Sequence, residues 1–287
     1  MRPYLIAAAL VVAVFVAVVV LVRLVENSMI FFPARYPAGE WNAEAVGARD
    51  VFFDTADGVT LHAWWFEADP PAGGEAPIEP RDGSAVLLFA HGNAGNLSGR
   101  GGHARAFARE GISVLLFDYR GYGRSEGRAD EAGIYRDMDA AFAFLTGEWG
   151  IAPGRIVLFG RSLGTAPASR LSTRVPHAAL VLVSPLPSAQ RMTRKMFGGL
   201  PMDLLIRSRF PVIDWVADRS TPLLVVHGGR DEVIPLAYGR EVYEAAAEPK
   251  RFLLLPGAGH NDILSVGGRD YVETVAAFVH EAVSGRR

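Results

Sequence analysis

The stretch Ile156-Val157-Leu158-Phe159-Gly160-Arg161-Ser162-Leu163-Gly164-Thr165-Ala166-Pro167 decides how the rest of the chain is read. Its four unbroken apolar residues fit a strand buried on both faces, and the G-x-S-x-G that follows fits a sharp strand-to-helix turn. Strand and helix approach closely at such a turn, so the positions two before and two after the serine must be small; Gly160 and Gly164 meet that demand. The Ser162 hydroxyl is then lifted clear of the backbone, with the next N–H groups aimed at whatever it attacks. A pentapeptide of common residues also has a plainer reading, a serine capping a helix. What separates the two is whether the partners of a nucleophile follow other strands.

Five more short apolar runs lie to either side: Ala85–Ala90, Ile112–Phe117, Ala179–Val183, 223–226 and 252–255. Helix-period segments fall between and after them, at Ala104/Phe107/Ala108, Tyr135/Met138/Phe142/Leu145/Trp149 and Val272/Val275/Ala276/Val279/Val283. Uninterrupted apolar strands alternating with helices predict an α/β domain with a mostly parallel sheet covered on both faces. Ahead of it, residues 50–66 alternate polar and apolar around Asp57-Gly58, which predicts an antiparallel N-terminal hairpin closed by a tight turn. Residues 70–83, rich in Pro and Gly, read as a surface loop, and no repeat interrupts a single domain. In such sheets ligands bind beyond the carboxyl ends of the strands, so the chemistry is sought just after each apolar run.

A serine hydroxyl attacks poorly at neutral pH unless an imidazole takes its proton, and the imidazole needs a carboxylate to fix its tautomer. Asp231 in His227-Gly228-Gly229-Arg230-Asp231 and His260 in Gly259-His260-Asn261-Asp262 each follow a strand and can fill those roles. The order Ser162, Asp231, His260 is that of triad members in α/β hydrolases. Glu232 is the fallback carboxylate, and a turn-forming Asp is the plainer reading of Asp231. After Ala85–Ala90 comes His91-Gly92-Asn93-Ala94-Gly95-Asn96, a turn that can offer the N–H of Asn93 opposite that of Leu163 to hold an oxyanion. Asp118 and Asp262 sit in Gly-rich turns and read as loop ties. Of the seven histidines, His91 is expected beneath the oxyanion turn and His227 at a strand end, His62 falls in the hairpin, and His103, His177 and His280 are expected at the surface. None has H-E-x-x-H or another metal spacing, and no Gly-rich turn is a P-loop or a dinucleotide fingerprint.

Together these turns and Asp118-Tyr119-Arg120-Gly121-Tyr122-Gly123-Arg124-Ser125 resemble the Bem46-like α/β hydrolases, related to the ABHD12, ABHD13 and ABHD17 branches of serine hydrolases. The resemblance runs from about Met29 to near the C-terminus. It implies the α/β-hydrolase fold, a Ser-Asp-His triad, membrane anchoring as in many members, and no cofactor. The chain departs from the family pattern twice. Thr165-Ala166-Pro167 replaces a second Gly and a small residue after the elbow, which a first helical turn tolerates. Ile206-Arg207-Ser208-Arg209-Phe210-Pro211 lacks the acidic residue relatives carry there, which bears on substrate preference.

With 287 residues the chain can bury a sizeable core, and a net charge of −2 gives no basic field to gather nucleic acid. The absence of Cys removes disulfides, thiolate metal sites and a Cys nucleophile. Residues 4–22 carry no charge and would reach about 28 Å as a helix, with Arg2 and Arg23 at the two interfaces. The run is longer than a signal peptide's apolar core and no A-x-A site follows, so residues 1–24 read as a retained single-pass anchor ahead of a hydrolase domain at 25–287. The short leading tail places that domain on the extracytoplasmic side. A small cap is expected at about 186–216. Within 190–215, Arg191, Arg194, Lys195, Arg207 and Arg209 lie among Met192, Met196, Phe197, Leu200, Met202, Leu204, Leu205 and Ile206. That mixture fits a lid over acyl chains or anionic headgroups and equally an amphipathic connection over the sheet edge. The expected activity is hydrolysis of carboxylic ester or thioester bonds in small-molecule, acyl or lipidic substrates. The rivals are amide cleavage by the same residues and a catalytically silent anchored binding module.

Overall fold

The computed structural model describes residues 2–69, 84–198 and 201–285, so the loop expected at 70–83 lies outside the described residues, as do Leu200 and the Met202 side chain. The apolar runs become strands β1 (Arg49–Asp54), β2 (Thr60–Phe66), β3 (Ala85–Ala90), β4 (Ile112–Phe117), β5 (Ile156–Arg161), β6 (Ala179–Val183), β7 (Leu223–Gly228) and β8 (Lys250–Leu255). They form one sheet in the order β1-β2-β4-β3-β5-β6-β7-β8, antiparallel where β2 meets β1 and β4 and parallel from β4 to β8. Helices follow in chain order as α1 (Arg2–Ile30), α2 (Gly101–Arg109), α3 (Glu131–Ala143), α4 (Thr165–Ser172), α5 (Ala189–Met196), α6 (Val212–Asp218), α7 (Leu236–Ala245) and α8 (Ile263–Val283).

The strands are apolar without interruption because alternate side chains are buried on opposite faces. Leu88, Leu158, Leu180 and Val225 pack on the face covered by α3, α4, α6 and α7, while Phe89, Phe159, Val181 and Val226 pack under α2 and α8. This is the α/β-hydrolase arrangement, and it brings the carboxyl ends of β3, β5, β7 and β8 to one rim.

The hairpin closes through a tight turn at Asp57-Gly58, as expected: the Gly58 N–H bonds the Thr55 carbonyl at 2.9 Å, Gly58 takes φ +77, and Thr55 accepts the Val59 N–H and donates to Asp57, whose carboxylate is held by Arg120 at 2.8 and 2.9 Å. Two details differ from the sequence reading. His103 and His177 are buried rather than at the surface: the His103 ring packs against Phe89, Phe107 and Phe159 and bonds the Tyr271 hydroxyl at 2.8 Å, and His177 bonds Thr221 at 2.7 Å. Finally, α3 ends at Ala143 and passes into a wider turn, Phe144–Glu148, so Trp149 lies beyond the helix yet still packs on Trp65.

Among the described residues, α1 is the one helix long and apolar enough to cross a membrane. Its 29 residues reach about 43 Å, more than the roughly 30 Å of a bilayer's hydrocarbon layer. From Tyr4 to Leu21 its side chains are nearly all exposed, whereas from Val22 onward the helix begins to be covered by the domain, and Glu26 is buried.

Candidate active site

The elbow is built from two close approaches. A side chain at Gly160 would meet the Gly164 carbonyl oxygen at 2.5 Å, and one at Gly164 would meet the Ala90 carbonyl oxygen at 2.1 Å. Both glycines are therefore required by backbone contact. Between them Ser162 takes φ +52, a left-handed geometry costly for a residue with a Cβ and typical of functional sites. Thr165 braces the turn by donating its hydroxyl to the Ser162 carbonyl at 2.6 Å. Pro167 sits in the first turn of α4, where its missing N–H would have had no helical partner.

The sheet rim brings Ser162, Asp231 and His260 together. His260 Nε2 lies 3.0 Å from Ser162 Oγ, and its Nδ1 lies 2.8 Å from Asp231 Oδ2. Burial pushes the Asp231 carboxyl up, but the hydrogen bonds from His260 and the Ile234 N–H outweigh it and hold the group below its ordinary range. An ionised Asp231 makes Nδ1 the donor, which turns the Nε2 lone pair toward the serine hydroxyl. The other Asp231 oxygen accepts the N–H groups of Val233 and Ile234 at 3.0 and 2.7 Å. Among the described residues Glu232, the fallback carboxylate, accepts the backbone N–H of His260, at 3.3 Å, and leaves the ring to Asp231. Asp262 ties its own loop by accepting the Gly259 N–H at 2.6 Å.

Asn93 and Leu163 line the same cavity as Ser162 and His260. The Asn93 backbone N–H has no acceptor among the described residues. Both ends of its side chain are engaged: Oδ1 accepts from the Phe32 N–H at 3.1 Å and the Tyr122 hydroxyl at 2.8 Å, and Nδ2 donates to the Ile30 carbonyl. Beneath this turn His91 bonds Asp118 at 3.1 Å, and Asp118 also accepts the Leu97 N–H at 2.7 Å. Both residues hold the loop, as the sequence reading expects of them.

Sequence reasoning missed three supports. Arg161 sends Nη2 to the His260 carbonyl at 2.6 Å and so fixes the loop that carries the imidazole. His227 sits 3.5 Å from the Asp231 carboxylate, and burial pushes its own pKa down, which keeps it neutral there. Glu26 and Glu131 accept the backbone N–H groups of residues 207–210, a segment without an acidic residue of its own. Glu26 left a trace in the sequence as a lone acid just past an apolar run, and His227 was expected at its strand end but not against the acid.

The cavity over Ser162 holds about 490 Å³, and its walls are mostly apolar, including Met29 and Ile30 from α1, Met192 from α5, and Ile206 and Phe210. The cations of α5 are engaged by the fold: Arg191 pairs with Glu241 at 2.6 Å, Arg194 with Asp203 at 2.8 Å, and Lys195 donates to the Val233 carbonyl at 2.8 Å. Arg191 and Lys195 thereby tie α5 to residues 233 and 241, and Arg194 ties it to residues 201–204.

An elbow serine at the rim of this sheet, facing an imidazole and a carboxylate, defines an α/β hydrolase. The comparisons with known proteins agree. The family described as serine aminopeptidase, S33, matches residues 81–211, a range that holds Ser162 but neither Asp231 nor His260. Uncharacterized protein Rv2307c of Mycobacterium tuberculosis is 37% identical over 262 residues, which is 91% of this chain and 90% of that protein. Alpha/beta hydrolase domain-containing protein 17B of Homo sapiens is 35% identical over 155 residues, 53% of this chain and 50% of its own length. Among solved structures, the Pyrococcus furiosus esterase Pf2001 shares the fold with a TM-score of 0.69 at 23% identity, covering 88% of this chain and 99% of its own. The chain belongs to one family with Rv2307c and is an α/β hydrolase, and it spans about half the length of the ABHD17 protein that it matches.

Proposed function

We propose that this protein is a membrane-anchored serine hydrolase that cleaves carboxylic ester or thioester bonds of acyl or lipidic substrates. The observation that carries the reading is the unbroken line Asp231, His260, Ser162, at 2.8 and 3.0 Å, under an apolar cavity. In this mechanism Ser162 Oγ attacks the carbonyl carbon as His260 Nε2 takes its proton, and Asp231 stabilises the imidazolium that forms. The N–H groups of Asn93 and Leu163 hold the tetrahedral oxyanion, each contributing roughly 10²- to 10³-fold to turnover. His260 returns the proton to the leaving alcohol or thiol, which departs and leaves an acyl-enzyme. Water, activated by the same ring, attacks the acyl carbon and releases the acid and free Ser162.

The membrane part of the proposal rests on α1. Residues 1–24 serve as a single-pass anchor and 25–287 as the hydrolase domain, with the cap at about 186–216; the division falls near where α1 starts to be covered. In this reading the domain lies on the extracytoplasmic side. The cavity wall runs along α1 from Val22, the end of the apolar run, to Met29 and Ile30. A substrate whose acyl chain lies in the bilayer has a short path to Ser162, which supports acyl or lipidic substrates.

The test is a panel of p-nitrophenyl esters of graded chain length, acyl thioesters and aminoacyl amides, run on the wild type and on Ser162→Ala, His260→Ala and Asp231→Asn. Ester or thioester turnover lost in all three, with double variants no worse than single ones, supports the reading. Preferential amide cleavage would favour the peptidase suggested by the matched family's description, and a well-folded wild type inert on the whole panel would favour a binding module.

A further inference from the structure

We propose that Glu26, in the anchor helix, determines acyl-chain selectivity by seating one wall of the cavity; the inference rests on the hydrolase reading above. Glu26 is 4% exposed, while the helix from Tyr4 to Leu21 is nearly all exposed. Its two carboxylate oxygens accept the Arg207 N–H at 2.9 and 3.0 Å and the Ser208 N–H at 2.7 Å. Glu131 of α3 continues the pattern, accepting the Arg209 and Phe210 N–H groups at 2.8 Å each.

Four successive amides are thus held by carboxylates from two distant elements rather than by a helix or a strand. The segment cannot hold this shape alone, because Phe210 sits at φ +43, a strained geometry for a bulky residue. Ile206 and Phe210 line the cavity on one side of this seam, and Met29 and Ile30 of α1 line it on the other. The Phe31 and Phe210 rings meet edge to face with centroids 6.3 Å apart, which continues the seam into the core. Glu26 therefore fastens the anchor helix to the cap segment along the apolar side of the site. An acyl chain threaded from Ser162 would lie against this wall, so loosening it removes contacts that a long chain makes and a short one does not. Glu26 makes no hydrogen bond to Asp231, His260 or Ser162; it lines the cavity itself and positions the rest of that wall through the 207–208 amides.

The experiment measures kcat/KM of the full-length protein in phosphatidylcholine vesicles for p-nitrophenyl acetate and p-nitrophenyl dodecanoate. The ratio of dodecanoate to acetate is expected to fall at least tenfold in Glu26→Ala and about two- to fivefold in Glu26→Gln, which keeps one accepting oxygen. Met29→Trp, which narrows the cavity without touching the carboxylate, is expected to lower the ratio at least fivefold and decides the matter if Glu26→Ala does not fold. A ratio within twofold of wild type in the folded variants, even if both activities fall together, overturns the proposal, as does a wild type that accepts no ester longer than butyrate. A wild type that hydrolyses neither ester and does not react with a fluorophosphonate removes the hydrolase reading itself, and this proposal with it.

Discussion

Ser162 owes its position to its neighbours' lack of side chains and to the strain it carries at φ +52, and its chemistry to residues about 70 and 100 positions away. Asp231→Asn leaves the shape of the site but removes the charge that selects the His260 tautomer, so kcat is expected to fall about 10⁴-fold in steady-state assays while substrate binding changes little. Among the described residues Arg161 donates to the carbonyl of His260 and to the Asn261 side chain, and it also lines the cavity. Arg161→Met is therefore expected to lower kcat about tenfold in the ester assay, because it frees the loop that carries the imidazole. Ser162, Asp231 and His260, which the structure brings within hydrogen-bond distance of one another, were legible in the sequence because each follows a buried strand, and strands are read from apolar runs alone. Arg161, Glu26 and Glu131 were not, because their partners are backbone atoms far along the chain, and backbone atoms leave no residue-type signature.

At the level of elements, β3, β5, β7 and β8 supply the rim, and the turns after them supply the groups. The strands were legible nearly residue for residue, since burial on both faces demands uninterrupted apolar runs. The short helices α5, α6 and α7 were harder to read: seven to ten residues give too few turns for a clear period, and the faces of α5 are shared between cap contacts and solvent. The packing of α4 on β3 and β5 leaves no room at the elbow. Gly164→Ala is expected to cost about 3 kcal/mol by forcing a methyl into the Ala90 carbonyl, and to lower the melting temperature by about 6–12 °C in a thermal scan. The turn after β3 is tied to the end of α1 through the Asn93 side chain. Asn93→Ala keeps the backbone N–H but frees the turn, and a fall of about 10²-fold in kcat is expected in the ester assay, similar to losing one oxyanion donor.

For the whole molecule, burial pushes the pKa values of His62, His103, His177 and His227 below the ordinary histidine value, that of His103 to about 3. Below about pH 6.5 the unfolded chain binds protons at these sites that the folded protein refuses, so their linked stability is complete above that pH and is lost as the pH falls. The melting temperature is expected to drop between pH 7.5 and 5.5, and His103→Gln, which keeps a bond to Tyr271 without titrating, is expected to reduce the drop. A melting temperature that rises over that interval would contradict the assignment of neutral, buried imidazoles. The sequence reading placed His103 and His177 at the surface because a lone histidine in a short helix or a turn carries no mark of depth; only the packing of α2 and α8 on the sheet buries the first.

The account as a whole stands on Ser162 being the nucleophile of an anchored hydrolase. Peptide mapping by mass spectrometry after treating the full-length protein with a fluorophosphonate tests this most directly. The account expects one adduct, on the peptide containing Ser162, formed in the wild type and absent in His260→Ala; a folded wild type without an adduct, or an adduct on another serine, would contradict it.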